Sequence, residues 1–434
     1  MKRPVVIVLL VVALVLVCVG IGSVIYFANG FQTNNPFDRN NIASTSDESK
    51  TLKVDAEKPV ILTVLDDSGS VTVTGGDVET VTVKAMKTAY DSTQARADEE
   101  VKTIKFVVEQ TGNTITIKYE LPKSMNFNNN VNTIDFIVTV PNETTVDVDT
   151  NFGEVSVAGT IGNVDIKNDF GDVTLENIEG AVFSQTNSGK VNATSIVAGS
   201  ENIELHSDFG DVTLKKAGGK DITLQSNSGN ITLSEVRATG DLTTNTDFGN
   251  TEFENGSADA LHIETNSGEV SLIKINITKE IFVKNDFGDI ELEQASAASY
   301  DLQANSGSIT VDGAKGNLKV DSDFGNITIS NARSVTLTVE TNSGNIEFSG
   351  SLGNGPHYVK SDFGGIDFIL PADSNLNVDL KTDFGTISSD IPITVTLTES
   401  SSSDKSQIVG SINEGGDLLT AITNSGNISL STSK

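Results

Sequence analysis

The chain has 434 residues and a formal charge of −30, from 59 acidic against 29 basic side chains. A surface that acidic repels phosphate backbones and anionic headgroups, which excludes nucleic acid as a partner. Gly is high at 38, Pro is low at 8, and Trp is absent. With Cys18 the only cysteine, the body has neither disulfides nor a thiolate metal site, and must be held by ladders and core packing.

Lys2 and Arg3 precede an apolar run over residues 4–28. As a helix it extends roughly 37 Å, enough to cross a ~30 Å hydrocarbon core. The flanking charges leave residues 1–3 in the cytoplasm by the positive-inside rule. The expected topology is a single-pass cell-membrane protein, anchored through this helix, with its C-terminal ectodomain outside. A cleaved signal peptide and a lipoprotein are the competing readings. The run is long for the first, and Tyr26-Phe27-Ala28 is a poor cleavage sequence; Val17, not a small residue, precedes Cys18 against the second. Residues 29–50 are polar and read as a flexible stalk.

Residues 51–140 read as an α+β N-terminal cap. Val71-Thr72-Val73-Thr74, Val81-Thr82-Val83, Phe106-Val107-Val108 and Ile115-Thr116-Ile117 have strand alternation, and the segment 92–103, with Ala95, Ala97 and Val101, reads as a helix. A solenoid leaves an open sheet edge at each end, which needs such a cover.

Residues 141–434 carry the repeat. A corner tripeptide recurs from Asn151-Phe152-Gly153 and Asp169-Phe170-Gly171 through Asn187-Ser188-Gly189 and Asp208-Phe209-Gly210 to Asp383-Phe384-Gly385 and Asn424-Ser425-Gly426. Between Gly153 and Gly385 successive corner glycines lie 18 to 21 residues apart. So regular a period means stacked units. Alternation on both sides of the corner, as in Val164-Asp165-Ile166 and Val173-Thr174-Leu175, predicts two short strands meeting at a bend, with Asn177-Ile178-Glu179-Gly180 as the return turn. The expected fold is all-β: a single-stranded β-solenoid of about 15 rungs of ~19–20 residues, with 388–419 a degenerate rung or insertion.

Asp corners carry Phe and nearly all Asn corners carry Ser. One unit per rung separates the Asp charges by two rungs, ~9.6 Å, and gives each Phe ring a small neighbour. In chain order Asn151-Phe152 breaks the pairing, and Asp362 and Asp383 fall on successive rungs, so the rule looks loose near both ends. A 39-residue rung, with Asp stacked on Asp, is the alternative. The position before each corner is Ser, Thr or Asn except at Ala304, which predicts an inward hydroxyl ladder bonded rung to rung.

The Val138-Thr139-Val140-Pro141 lead and the repeated strand-[Asn/Asp]-[Ser/Phe]-Gly-strand units resemble the bacterial putative-adhesin repeat family, a domain class of largely unknown function. The 51–118 lead-in and the 410–417 turn resemble it too. The resemblance implies a surface-exposed β-helix and a link, in some relatives, to envelope stress. It carries over no functional residues.

No catalytic constellation is present. The Asp-Phe-Gly triplets lack a kinase's other parts, and His206, His262 and His357 are scattered, with His206 and His262 at outward positions. A glycan-active β-helix enzyme needs clustered Asp and Arg or Lys, whereas Arg237 and Arg333 lie about five rungs apart. No cofactor is indicated. Asp169, Asp172, Asp208, Asp211, Asp286 and Asp289 form acidic columns that a calcium ion could use if adjacent rungs converge; otherwise they are a solvated edge. The expected function is a non-catalytic, adhesin-like interaction protein that contacts a surface protein or glycan. The rival is an envelope-stress sensor binding cationic peptides.

Overall fold

The computed structural model describes residues 42–120, 131–400 and 406–433. The expected membrane segment 4–28 lies outside them; among the described residues no helix is long and apolar enough to cross a membrane.

The rung that begins at Val164 shows how the sequence builds the stack. Strand Val164–Phe170 buries Val164 and Ile166, turns at Gly171, and continues as Val173–Glu179, burying Val173 and Leu175. Asn177 then takes a left-handed conformation (φ 54°), which bends the chain a second time and returns Ile178 to the core. Gly180 closes the turn. The unit is thus three-sided: the segment expected as a return turn holds a second corner and a short third side. The same bend recurs at Ser195, Lys216, Glu235, Asn255, Lys274, Gln294 and Asn331, all with φ between 52 and 59°. Each non-glycine in that region costs about 1–2 kcal/mol. Hydrogen-bonded pairs on both sides, such as Glu176 with Thr194 and Ile178 with Ile196, hold it there.

Parallel pairing sets Val164 on Val182, Val182 on Ile203, Ile203 on Ile222 and Ile222 on Leu242. Each step is one repeat, which settles the short rung and excludes the 39-residue one. These side chains are at most 2% exposed, and each stabilises the fold by about 1.5–3 kcal/mol. Corner glycines are required by the stacking itself: a Cβ on Gly171 would lie 2.0 Å from the Gly153 carbonyl oxygen below.

The rung count differs from expectation. The chain climbs continuously for about 11 turns, from the Asn151 corner to the Asp362 corner, and both ends are then completed out of chain order. At the first end, Val60–Asp66 and Val71–Gly76 form a rung that pairs with the 144–158 rung. On its other side lie Thr114–Tyr119 and Thr133–Pro141. At the far end, Asp417–Ser425 and Ile428–Thr432 insert between the 357–370 rung and the 376–389 rung. The next rung out still pairs in parallel, and beyond it the pairing becomes antiparallel. Thr80–Asp91 joins Thr133–Pro141, and Ile42–Lys53 joins Thr80–Asp91; at the far end Ser406–Ile412 lies against Leu376–Phe384 and Ile393–Ser400 against Ser406–Ile412.

Two local readings change. Ile42–Lys53 is a strand that starts inside the expected stalk; it is an edge strand, mostly exposed, so it lacks the apolar alternation that marks inner strands. The helix is Gln94–Thr103, capped by the Thr93 hydroxyl, which accepts from the Arg96 amide, and it buries Ala97 and Val101.

A candidate interaction surface along one edge

The corner strands place three residue columns at one edge of the rod. The first is the inward position before each corner. Its side chains are buried, but they do not bond to one another as expected. The hydroxyls of Thr186, Ser207, Ser226, Thr246, Ser361, Thr423 and Thr382 donate to the corner-glycine carbonyl of the rung before, as do the amides of Asn168 and Asn285. The role remains structural.

The second column is the Asp/Asn position. Each Asn amide donates to the carboxylate of the rung before: Asn187 to Asp169 (2.8 Å), Asn227 to Asp208 (3.0 Å), Asn266 to Asp247 (2.8 Å), Asn305 to Asp286 (2.9 Å) and Asn342 to Asp323 (2.6 Å). At the ends, Asn424 donates to Asp362 (2.9 Å) and Asn151 to Asp67 (3.0 Å). In space the Asp–Asn alternation is regular, because Asn424 stands between Asp362 and Asp383, and Asn151 between Asp67 and Asp169; the mismatch of Asn151 with Phe152 remains. Asp67-Ser68-Gly69 is a further corner, outside both the Asp-Phe-Gly and the Asn-Ser-Gly pattern. Its signal was present in Leu62-x-Val64 before it and Val71-x-Val73 after it.

The third column is Phe alternating with Ser. Phe170, Phe209, Phe248, Phe287, Phe324, Phe363 and Phe384 point into solvent, all but Phe170 at 60–66% exposure. Register sets a Ser between each pair, from Ser188 between Phe170 and Phe209 to Ser425 between Phe363 and Phe384. Among the described residues every exposed Phe belongs to this column. Phe152 is the exception to the spacing, stacked on Phe170 at 5.1 Å.

The six acidic candidates fall on three rungs, as Asp169 with Asp172, Asp208 with Asp211, and Asp286 with Asp289. The register keeps these rungs two and four steps apart. Asp172, Asp211 and Asp289 each accept a backbone N–H from the next rung: Lys190 (2.7 Å), Asn230 (3.1 Å) and Ser308 (2.8 Å). The Lys190 ammonium also holds the Asp211 carboxyl below its usual range, helped by the Asn230 amide. Among the described residues no three His, Cys, Asp or Glu side chains gather as a metal site. A shallow polar cleft of about 140 Å³ lies on this flank, lined by residues that include Lys284, Asp286, Asn305 and Asp323.

His206 and His262 are outward, His262 stacking on Phe282 at 4.6 Å. His357 is buried, with its Nδ1 accepting from the Leu337 amide and its Nε2 near the Gly353 carbonyl. Burial holds its pKa below the usual 6.5. At the first end Asp66 replaces the Ser/Thr of the inward column. Burial, with the Asp67 and Asp135 charges, pushes its pKa up to about 8 against the pull of the Ser68 amide.

Fold and edge together define a parallel β-solenoid whose polar and aromatic groups are laid out along a surface and not gathered in a pocket. The chain belongs to the Toastrack DUF4097 family, whose model matches residues 63–272, 182–316 and 254–431. It is similar to the crystal structure of a putative cell adhesion protein from Clostridium sporogenes, at 8% identity over 90% of this chain and 100% of that one, with a TM-score of 0.19. A putative adhesin from Bacteroides fragilis matches at 10% identity over 89% and 97%, with a TM-score of 0.20. A putative lipid binding protein from Parabacteroides distasonis matches at 17% identity over 74% and 96%, with a TM-score of 0.19. No curated protein matches the chain.

Proposed function

We propose that this protein is a non-catalytic, adhesin-like interaction rod, held outside the cell membrane by the 4–28 helix. The observation that carries this reading is the column of exposed Phe side chains along one edge. Apolar side chains repeated in solvent at one edge mark an interaction surface. Two tests address it. Cells lacking the protein should attach less to glycan or matrix-protein surfaces, and attachment should fail to recover with a variant carrying Ser at the Phe positions. Protease added to intact cells should release a soluble fragment that begins within residues 29–41. A second reading, an envelope-stress sensor that binds cationic peptides, draws on the acidic columns beside the Phe edge. Unchanged attachment with altered sensitivity to cationic antimicrobial peptides would favour it over the first.

A further inference from the structure

We infer that the Phe edge takes an extended, basic, proline-rich polypeptide in the polyproline II conformation. This rests on the reading of the rod as an interaction surface and names the partner's chemistry. From Phe170 to Phe384 one ring recurs at every second rung, a spacing of about 9.6 Å. A ligand that engages successive rings must present the same face at that interval. A polyproline II segment does so every third residue, at about 9.3 Å, and drifts by only about 2 Å over six intervals. An α-helix repeats its face at about 10.5 Å over seven residues and drifts by about 5 Å over the same length. A β-strand shows one face every about 6.6 Å and misses alternate rings.

Charge selects among polyproline II ligands. The residue before each of those seven rings is Asp, with no basic residue in the column. Two positions after the rings and their Ser counterparts stand Asp172, Asp211, Glu269 and Asp289, against one Lys190, which is already paired with Asp211. Beyond Asp289 the same positions hold Ser308, Asn326, Asn345, Gly365, Asn427 and Thr386, so the ridge runs beside the Asp line throughout and between two acidic lines only from Asp172 to Asp289. One face of a three-sided ligand packs prolyl rings on Phe, and basic residues on a second face meet the Asp carboxylates, over the Phe faces where they reach them. A second copy of the rod brings acidic lines against acidic lines and is disfavoured.

The full chain is titrated at low salt with a synthetic peptide of about seven Pro-Pro-Lys repeats, about 65 Å long when extended. A Gly-Gly-Lys peptide of equal length and charge, and a neutral chito-oligosaccharide, serve as comparisons. The expected result is binding of the Pro-Pro-Lys peptide at least about tenfold tighter than the Gly-Gly-Lys peptide. The F209S/F248S/F287S/F324S variant should lose that ratio and keep its Gly-Gly-Lys affinity. It places at four rungs the residue that their neighbours already carry, so the fold is preserved. A ratio near one in the parent, or one unmoved in the variant, overturns the inference. So does a chito-oligosaccharide that binds the parent and not the variant. Either result leaves the attachment tests of the interaction reading standing, and loss of attachment function leaves the peptide ratio standing.

Discussion

The middle of the rod and its two ends obey one stacking rule by different routes. From Asn151 to Asp362 the order of rungs in space is the order in the chain. At both ends a rung enters from elsewhere: 60–76 below the Asn151 corner, and 417–432 between the Asp362 and Asp383 corners. The Asp–Asn alternation runs through all of them. It is therefore a rule about neighbours in space, held by an amide-to-carboxylate hydrogen bond, and not about neighbours in sequence. The ends also differ in what they bury. Asp66 sits on the re-entrant first rung, and His357 begins the strand that receives the re-entrant Asp417–Ser425.

The largest expected effect comes from a corner of the middle. A Gly171→Ala change drives a Cβ to 2.0 Å from the Gly153 oxygen, a clash with fixed backbone that should cost more than about 4 kcal/mol. Gly76, at the first end, has nothing within 4 Å of the added Cβ, so Gly76→Ala should change stability by less than about 0.5 kcal/mol. Urea midpoints followed by circular dichroism compare the two. Equal midpoints would remove the stacking argument for the corner glycines.

Next is the pH response of the first end. Because Asp66 has its folded pKa raised from 3.8 to about 8, the native state holds its proton more tightly than the unfolded chain. The stability that this proton supports is intact below pH 3.8 and is lost progressively as pH rises toward about 8. Asp66→Asn installs a residue that the same column carries at Asn168 and Asn285. It should stabilise this end by up to about 4 kcal/mol at pH 7 and flatten the slope. Hydrogen exchange in Val60–Asp66 between pH 5 and 8 reads it; a variant with the parent's slope would contradict the assignment.

At the far end the sign reverses and the effect is smaller. Burial lowers the folded pKa of His357, so its contribution is full above 6.5 and falls as pH drops below that value. Moving from pH 7.5 to 5.5 should lower protection in His357–Phe363, read by hydrogen exchange, and His357→Asn should remove the dependence. Protection that stays level on acidification would count against it.

Much of this was legible in the sequence, and what was missed has physical causes. The corner glycines and period-two alternation give rung length, strand positions and the inward column, because glycine geometry and burial are local requirements. Thr93 and the Ala97–Val101 spacing mark the helix. The re-entrant rungs are not legible, because parallel pairing is set by which open edge a strand meets after a long connection. Reading Asp362 and Asp383 as neighbours followed from that. The left-handed bends escaped because Ser195, Lys216 and Glu235 share no side-chain signature; the ladder on either side imposes them. Exposure of the Phe column was missed since apolar residues in a strand default to the core, yet Phe170 lies two positions beyond inward Asn168 and follows the corner outward.

The most direct test of the spatial rule uses two Asn residues with opposite sequence settings. Asn227 lies between Asp208 and Asp247 in both chain and space, whereas Asn424 lies between Asp362 and Asp383 only in space. Replacing either with Asp removes an amide donor and sets three carboxylates in a row at ~4.8 Å. Each new contact costs on the order of 1 kcal/mol, less in salt. The prediction for thermal unfolding is that N227D and N424D are destabilised alike at low salt and recover alike at high salt. An N424D protein as stable as its parent at low salt, beside a weakened N227D, would contradict the inserted rung and with it the rule.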